Sequence, residues 1–229
     1  MPLPPEIIEH RSRIAAPYLR GDGIEIGALN APTPMPPGAR VRYVDYVTAA
    51  EVRAQYPRLE GEALVDADVI DDGERLTTFA DASVDFIVAN HFLEHCENPL
   101  GTLRTHLRVV RPGGFLYYAI PEMRSSSDSA RPLTGFEHVV ADEQDGGAAS
   151  RREHLVEWAR LVCGEQGDDA VERRIADIAR RGVTIHYHVW DVNTWLEFLC
   201  RARGRMGDVF EVKHLELAGP EIVAVLRRS

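Results

Sequence analysis

Several features that define whole classes of protein are scarce in this 229-residue sequence. It has three cysteines, far apart and with no Cys-X-X-Cys pair, which favours reduced, structural thiols over disulfides. No apolar run approaches the roughly 20 residues that span a bilayer. The first 20 residues also lack the basic-then-apolar order of a signal peptide. We therefore expect a cytoplasmic protein with reduced thiols that does not enter a membrane.

Positive charge is scarce as well. The 26 Lys and Arg residues face 36 Asp and Glu residues, for a net charge of −10. A nucleic-acid surface needs clustered basic side chains to replace counterions, and the arginines here are scattered among acids. We expect a small-molecule partner and no nucleic acid. The oligomeric state stays open, with a homodimer as one option.

Short apolar segments alternate with amphipathic ones. This alternation predicts βαβ units and hence a Rossmann-like, doubly wound, mostly parallel sheet in a single α/β domain over residues 1–229. Strands are predicted over residues 23–27, 41–47, 63–69, 84–89, 115–120 and 184–190, and helices over 6–19, 49–55, 92–110 and 193–201.

Two regions depart from this alternation. Residues 123–183 open with a polar stretch and continue with helical patterns over 149–163 and 168–180, which we interpret as a helical insertion, or lid, on the acceptor side. Near the end of the chain, Gly219 and Pro220 separate two apolar segments and indicate a turn. A C-terminal antiparallel hairpin over 210–217 and 222–227 is therefore expected.

The first predicted strand ends in an incomplete glycine loop. Ligands of doubly wound sheets bind at the carboxyl ends of the strands. The loop has Glu25 and Gly27, but Leu29 and Pro32 stand where a dinucleotide-binding loop has its second and third glycines. Those glycines let the backbone approach a pyrophosphate, so nicotinamide and flavin cofactors are disfavoured. A cofactor without phosphate does not require glycine at positions 29 and 32.

Acidic residues follow the next two strands. Asp45 ends the second strand, where its carboxylate can accept both hydroxyls of a ribose or cap a turn. Asp71 and Asp72 follow the third strand, and we prefer Asp72 as the acceptor for an adenine amino group.

The fourth strand and the segments after it carry a recognisable pattern. Residues 84–95, VDFIVANHFLEH, and residues 107–114, LRVVRPGG, resemble the class I S-adenosylmethionine-dependent methyltransferase superfamily. The resemblance implies S-adenosylmethionine as the cofactor. It also implies that Gly27, Ala28 and Leu29 line the cofactor's amino-acid end, Asp45 holds the ribose, Asp72 and Gly73 face the adenine, and Asn90 and His91 lie beside the methionine group, with Glu25 in register.

A second, less specific resemblance concerns the acceptor. The insertion and residues 185–191 look similar to bacterial methyltransferases encoded among sugar-processing enzymes, such as the mycobacterial enzyme that caps methylmannose oligosaccharides with a 1-O-methyl group. It implies O-methylation of a sugar or another small hydroxyl compound. Tyr187, Trp190 and Trp158 could stack on a sugar face, and acids such as Glu137 could bind hydroxyls. Mg²⁺ is conceivable, although no spacing fixes a site.

Methyl transfer to an alcohol also needs a base, and histidine is suited to that role at neutral pH. We rank His138 first, because it lies in the insertion beside Glu137, and His186 and His188 next. If residues 184–190 form a strand, the last two histidines share one face, which could point at substrate or bind a metal.

Three other interpretations compete with this one. His91, Glu94 and His95 spell the H-x-x-E-H pattern of some zinc hydrolases, which requires one continuous helix. His91 directly follows a buried strand, so we expect a turn there instead. The remaining alternatives are an N- or C-methyltransferase of a natural product and a non-catalytic nucleotide-binding regulatory protein.

Overall fold

Seven strands, seven α-helices and three short 3₁₀ helices make up the secondary structure of residues 3–229, the part of the chain that the computed structural model describes. The strands are β1 (Gly21–Ile26), β2 (Ala39–Asp45), β3 (Val69–Ile70), β4 (Val84–Asn90), β5 (Val110–Pro121), β6 (Phe210–Ala218) and β7 (Glu221–Arg228). The helices are α1 (Pro5–Ala15), α2 (Ala49–Gln55), α3 (Pro99–Val109), α4 (Phe136–Asp145), α5 (Arg151–Leu161), α6 (Asp168–Arg181) and α7 (Val192–Arg205).

The strands form one sheet in the order β3-β2-β1-β4-β5-β7-β6. All neighbours are parallel except β7, which runs antiparallel to both β5 and β6. The Rossmann-like fold and the C-terminal hairpin are thus confirmed. Because β2 and β4 lie on opposite sides of β1, strand order reverses at the carboxyl end of β1. That reversal opens the crevice in which such sheets bind ligands.

The sheet is covered on both faces. On one face, α3 and α7 bury residues such as Leu103 and Trp195 against β4 and β5. On the other, Ile14 of α1 packs against Phe86 and Tyr117. The nearly continuous apolar character of β4 follows from this double burial.

The prediction of a third strand over residues 63–69 is mostly wrong. Of the expected 63–69 region only Val69 pairs with β2, followed by Ile70 just beyond it. The backbone nitrogen of Tyr43 donates instead to the Asp68 carboxylate at 2.8 Å, and that of Val65 donates to the Leu29 carbonyl. These bonds draw the preceding residues away from the ladder, so β3 is a two-residue edge strand.

The helix predicted over 92–110 is interrupted. A short 3₁₀ turn covers Leu93–His95, and α3 begins only at Pro99. Proline is favoured at the first position of a helix, because an N–H at that position has no partner within the helix and its absence costs nothing. The Asn98 side chain accepts a hydrogen bond from the backbone nitrogen of Gly101, which caps the new helix.

The insertion contains α4, α5 and α6, of which the sequence analysis missed α4. Residues 184–190, predicted as a strand, run extended but pair with no strand. Their backbone groups bond to loops and side chains instead, as described below. The shared-face argument for His186 and His188 therefore loses its basis.

No helix within residues 3–229 is both long and apolar enough to cross a membrane. Helix α1 ends at Ala15, four residues before the predicted end. Met1 and Pro2, to which the signal-peptide argument also applies, lie outside the described residues.

A buried ion pair attaches α1 to the sheet. Arg11 and Glu221 are each 2% exposed. Two guanidinium nitrogens of Arg11, Nε and Nη2, donate to the two carboxylate oxygens of Glu221 at 3.1 and 2.6 Å. Burial alone would raise the pKa of Glu221, but hydrogen bonds from His91 and Arg11 lower it to about 2.

We predict that Glu221→Gln lowers the free energy of unfolding by about 3–5 kcal/mol, because it leaves the Arg11 charge buried without its partner. Urea denaturation at neutral pH measures this change. The pKa shift adds a pH dependence. Since the folded-state pKa is lowered, the stabilisation is present above the unfolded value of about 4.3 and is lost as pH falls toward 2.

Arg13 and Glu216 provide a matched control, because they join α1 to β6 at the surface with side chains 53% and 31% exposed. Arg13→Ala should cost less than about 1 kcal/mol. Equal losses in the two variants would show that burial of the Arg11 pair is not what stabilises this contact.

Candidate functional site

A cavity of about 540 Å³ opens at the carboxyl ends of β1, β2 and β4. The strands and the segments after them contribute lining residues that include Gly27, Leu29, Asp45, Asp72, Gly73, Glu74, His91, Phe92 and Glu97. Thr184 and Tyr187 from the extended segment, together with His95, complete the wall. The cavity thus lies where the strand order predicts a ligand.

Two cavity residues hold left-handed backbone conformations without being glycine. Leu29 has φ 48° and His91 has φ 48°. Such conformations are costly for side chains with a Cβ and concentrate at binding sites. Gly27, with φ 64°, takes the same region without that cost. Gly73 is needed for another reason, since a Cβ there would lie 2.5 Å from Ile26.

Glu25 lies beneath the loop and does not line the cavity. Its carboxylate is 1% exposed and accepts hydrogen bonds from the nitrogen and hydroxyl of Thr33 and from the Asn90 amide. Burial raises the pKa of Glu25 to about 7. Asn90 also donates to the Thr33 hydroxyl, and Ala28 is buried. Glu25, Ala28 and Asn90, which the sequence predicts to contact cofactor, therefore support the loop from the side facing away from the cavity.

The acidic residues after β2 and β3 have distinct positions. Asp45 faces the cavity, and one of its oxygens accepts from the Tyr46 nitrogen at 2.8 Å. Asp72 also lines the cavity. The carboxylate of Asp71 is instead bound by the hydroxyls of Thr77 and Thr78. Its location agrees with the preference for Asp72.

His91 forms a turn, as expected. Its backbone follows β4 directly, and its Nε2 lies 2.7 Å from Glu221 while its Nδ1 lies 3.5 Å from Glu94. Because His91 and His95 do not share a continuous helix, the H-x-x-E-H zinc-hydrolase interpretation is wrong.

The extended segment 184–190 crosses the cavity wall. The carbonyl of Glu94 accepts from the nitrogens of Tyr187 and His188, at 2.7 and 3.2 Å. Arg131, which is buried, donates to the carbonyls of His186 and Tyr187. These bonds replace a sheet ladder and hold the segment in place.

His186 and Asp128 form a pair beside the cavity. His186 Nδ1 lies 2.5 Å from a carboxylate oxygen of Asp128, whose other oxygen accepts from Arg131 at 2.8 Å. The His186 ring packs edge-on against His95, at 4.5 Å between centroids. Burial lowers the pKa of His186, but the bond to Asp128 and the charge of Glu94 outweigh it, and the pKa is raised overall.

The other two base candidates lie in a different group. His138 and His188 gather with His154 and Asp142, two residues that the sequence analysis missed. None of the four lines the cavity, although the His154 ring lies 5.9 Å from that of Tyr187. His138, ranked first, is thus farther from the cavity wall than His186.

Two acceptor residues need correction. Trp190 is 2% exposed and packs among Trp195 and Phe198 in the core, so it cannot stack on a sugar in this conformation. Glu137 lies on the exposed surface of α4 and pairs with Arg201. Of the proposed acceptor residues, only Tyr187 lines the cavity. Asp128 was also missed, because its partner is 58 residues away in sequence.

Comparison with known proteins identifies the domain. Residues 21–118 match the family model described as a methyltransferase domain. The match runs from β1 into β5 and includes most of the cavity wall. This match supports an S-adenosylmethionine-dependent methyltransferase activity for the chain. Among curated proteins, none matches this sequence.

Solved structures share the fold at low identity. An S-adenosylmethionine-dependent methyltransferase from Mesorhizobium loti is 16% identical, with a TM-score of 0.51 over 97% of this chain and 98% of that one. One from Aquifex aeolicus is 12% identical, with a TM-score of 0.51 over 98% and 92%. A Rhodobacter sphaeroides protein described as a Zn-dependent alcohol dehydrogenase is 13% identical, with a TM-score of 0.54 over 100% and 91%. At such identities the likeness establishes the fold alone.

We predict that Asp45→Ala weakens binding of S-adenosylhomocysteine about tenfold or more, because a charged acceptor of hydrogen bonds at the cavity wall is lost. Isothermal titration calorimetry measures the affinity.

Asp22→Ala is the control, since Asp22 lies on β1 with a side chain 62% exposed and pairs with Arg40. This variant should bind like the wild type. An unchanged affinity in a folded Asp45→Ala protein would show that Asp45 does not bind the ribose.

Proposed function

We propose that this S-adenosylmethionine-dependent methyltransferase acts on a hydroxyl oxygen of a small polar acceptor, with carbohydrates as the first class to test. The observation that carries the proposal is the pairing of His186 with Asp128 beside the cavity. Transfer breaks the S–CH₃ bond and forms an O–CH₃ bond. The hydroxyl proton must leave as the new bond forms, so an alcohol acceptor needs a base.

His186 is oriented to be that base. Its Nδ1 faces the Asp128 carboxylate, so the proton lies on Nδ1 in the neutral ring. Its Nε2 has no hydrogen-bond partner among residues 3–229 and is left to accept a proton. In His91, by contrast, both ring nitrogens face carboxylates. His186 is 22% exposed, and its ring packs against His95, which lines the cavity.

The acceptor would contact the insertion, residues 123–183, and the extended segment. Asp128 lies in the insertion, and Glu97, Thr184 and Tyr187 line the adjoining wall. A carboxylate, a hydroxyl and a phenol ring suit the hydroxyls and the apolar face of a sugar. A neutral amine attacks through its free lone pair and loses its proton only after transfer, so a base that acts as the new bond forms favours O-methylation over N-methylation.

Mg²⁺ assistance has less support. Glu94, His95 and His186 place possible ligand atoms within 4.8 Å of one another. Two of these three ligands are imidazoles, whereas Mg²⁺ prefers oxygen. We propose base catalysis without Mg²⁺ and expect less than about a twofold change in rate when Mg²⁺ is added.

We predict that His186→Ala lowers kcat by about 10²–10⁴-fold while the affinity for S-adenosylhomocysteine stays near that of the wild type. The raised pKa of His186 adds a signature, because only the neutral ring accepts a proton. The rate should rise with pH through a pKa above the ordinary value of about 6.5. Asp128→Asn, which removes the charge that raises this pKa, should move that rise to lower pH.

His214→Ala is the matched control, since His214 pairs with Glu216 on β6, in a separate part of the molecule. It should leave kcat unchanged. Turnover of folded His186→Ala within a few-fold of the wild type would exclude His186. If His138→Ala then lost turnover instead, the base would be the residue that the sequence analysis ranked first.

The acceptor class is tested with S-adenosylmethionine carrying a CD₃ group. A screen of sugars, sugar glycosides, phenols and amines would be read by mass spectrometry. We expect labelled methyl ethers from polyhydroxyl acceptors. Transfer to amines alone would contradict the proposed O-methylation.

A further inference from the structure

Three histidines and one aspartate meet inside the insertion, apart from the cavity wall. His138 and Asp142 lie one turn apart on α4, His154 lies on α5, and His188 comes from the extended segment. Each offers one ligand atom, and all four atoms lie within 4.8 Å of one another. None of the four has a place in the proposed transfer.

Three of the six separations among these atoms are close to those of a tetrahedral metal site. His138 Nε2 lies 2.9 Å from His154 Nε2 and 3.3 Å from Asp142 Oδ2, while His188 Nε2 lies 3.7 Å from the same oxygen. Ligand atoms bound to zinc at about 2.0–2.1 Å in a tetrahedron are about 3.3–3.4 Å apart. The observed distances lie on both sides of that value.

Two of the four ligand atoms have no hydrogen-bond partner among residues 3–229, whereas the Nε2 atoms of His138 and His154 pair with each other. His188, which is 1% exposed, has no hydrogen-bond partner for its Nε2 among residues 3–229, and Asp142 has none for its Oδ2. The other carboxylate oxygen of Asp142 accepts from the Ser150 hydroxyl at 2.5 Å. Buried polar groups are rarely left unpaired, because each costs about 1–3 kcal/mol. A cation would satisfy the unpaired atoms, with Ser150 orienting the carboxylate as residues behind metal ligands do.

We propose that His138, Asp142, His154 and His188 bind one zinc ion. Three imidazoles and one carboxylate suit zinc better than Mg²⁺ or Ca²⁺, which prefer oxygen ligands. With four protein ligands, the site is of the closed, structural kind. The ion would join α4, α5 and the extended segment, and so fix the segment that carries His186 and Tyr187.

The first experiment measures metal content and affinity directly. Purified wild-type protein should contain, or take up on titration with ZnCl₂, about one zinc per chain by inductively coupled plasma mass spectrometry, and millimolar Mg²⁺ should not displace it. Replacing zinc with Co²⁺ should give the intense visible absorption of a tetrahedral site. Failure of the folded wild type to bind zinc more tightly than about 10 µM would overturn the proposal.

Variants then test the residues. His138→Ala, at the half-exposed edge of the group, should abolish stoichiometric zinc with least damage to the core. Ser150→Ala leaves every ligand in place and should weaken zinc binding about 10–100-fold. His214→Ala, which removes a histidine outside the group, should retain one zinc. Wild-type affinity in both His138→Ala and Ser150→Ala would place any bound zinc elsewhere. These readouts do not depend on methyl transfer.

Discussion

The arrangement of this molecule depends on how the extended segment 184–190 satisfies its backbone. Without a neighbouring strand, its polar groups need other partners. The Glu94 carbonyl and the Arg131 guanidinium supply them. Because Glu94 directly follows the β4 turn and Arg131 belongs to the insertion, these bonds join the cavity side of the sheet to the insertion. Alternate residues of the segment then serve different sites. His186 faces Asp128 beside the cavity, and His188 enters the four-residue group in the insertion.

The cofactor side is shaped from beneath by buried polar contacts. Glu25 holds Thr33 and Asn90 behind the first loop, and Glu221 holds His91 after β4. Glu221 thus bonds to His91, one of two cavity-lining residues other than glycine with a left-handed backbone. Glu25, whose place in the sequence predicts a contact with cofactor, lies one layer behind the cavity wall.

The fold and the position of the cavity could be predicted from the sequence because their signals are local. Apolar strands, the turn around Gly219 and acids at strand ends are each readable within a few residues. The acceptor side could not be predicted in the same way. Asp128 meets His186 across 58 residues, and His154 meets His138 across a helix–helix contact. Trp190 was misassigned because an aromatic residue beside histidines has the same pattern in a core as in a binding site. The strand prediction for 184–190 failed because the backbone of this segment bonds to the Glu94 carbonyl and the Arg131 side chain instead of to a neighbouring strand.

The central claim is that the cavity beside β1 and β2 binds a nucleoside cofactor without phosphate. Calorimetric titration of the wild-type chain with S-adenosylhomocysteine and, in parallel, with NADH tests it most directly. The account predicts one S-adenosylhomocysteine per chain, bound more tightly than about 100 µM, and no measurable NADH binding. Binding of NADH, or no binding of S-adenosylhomocysteine by the folded protein, would contradict it.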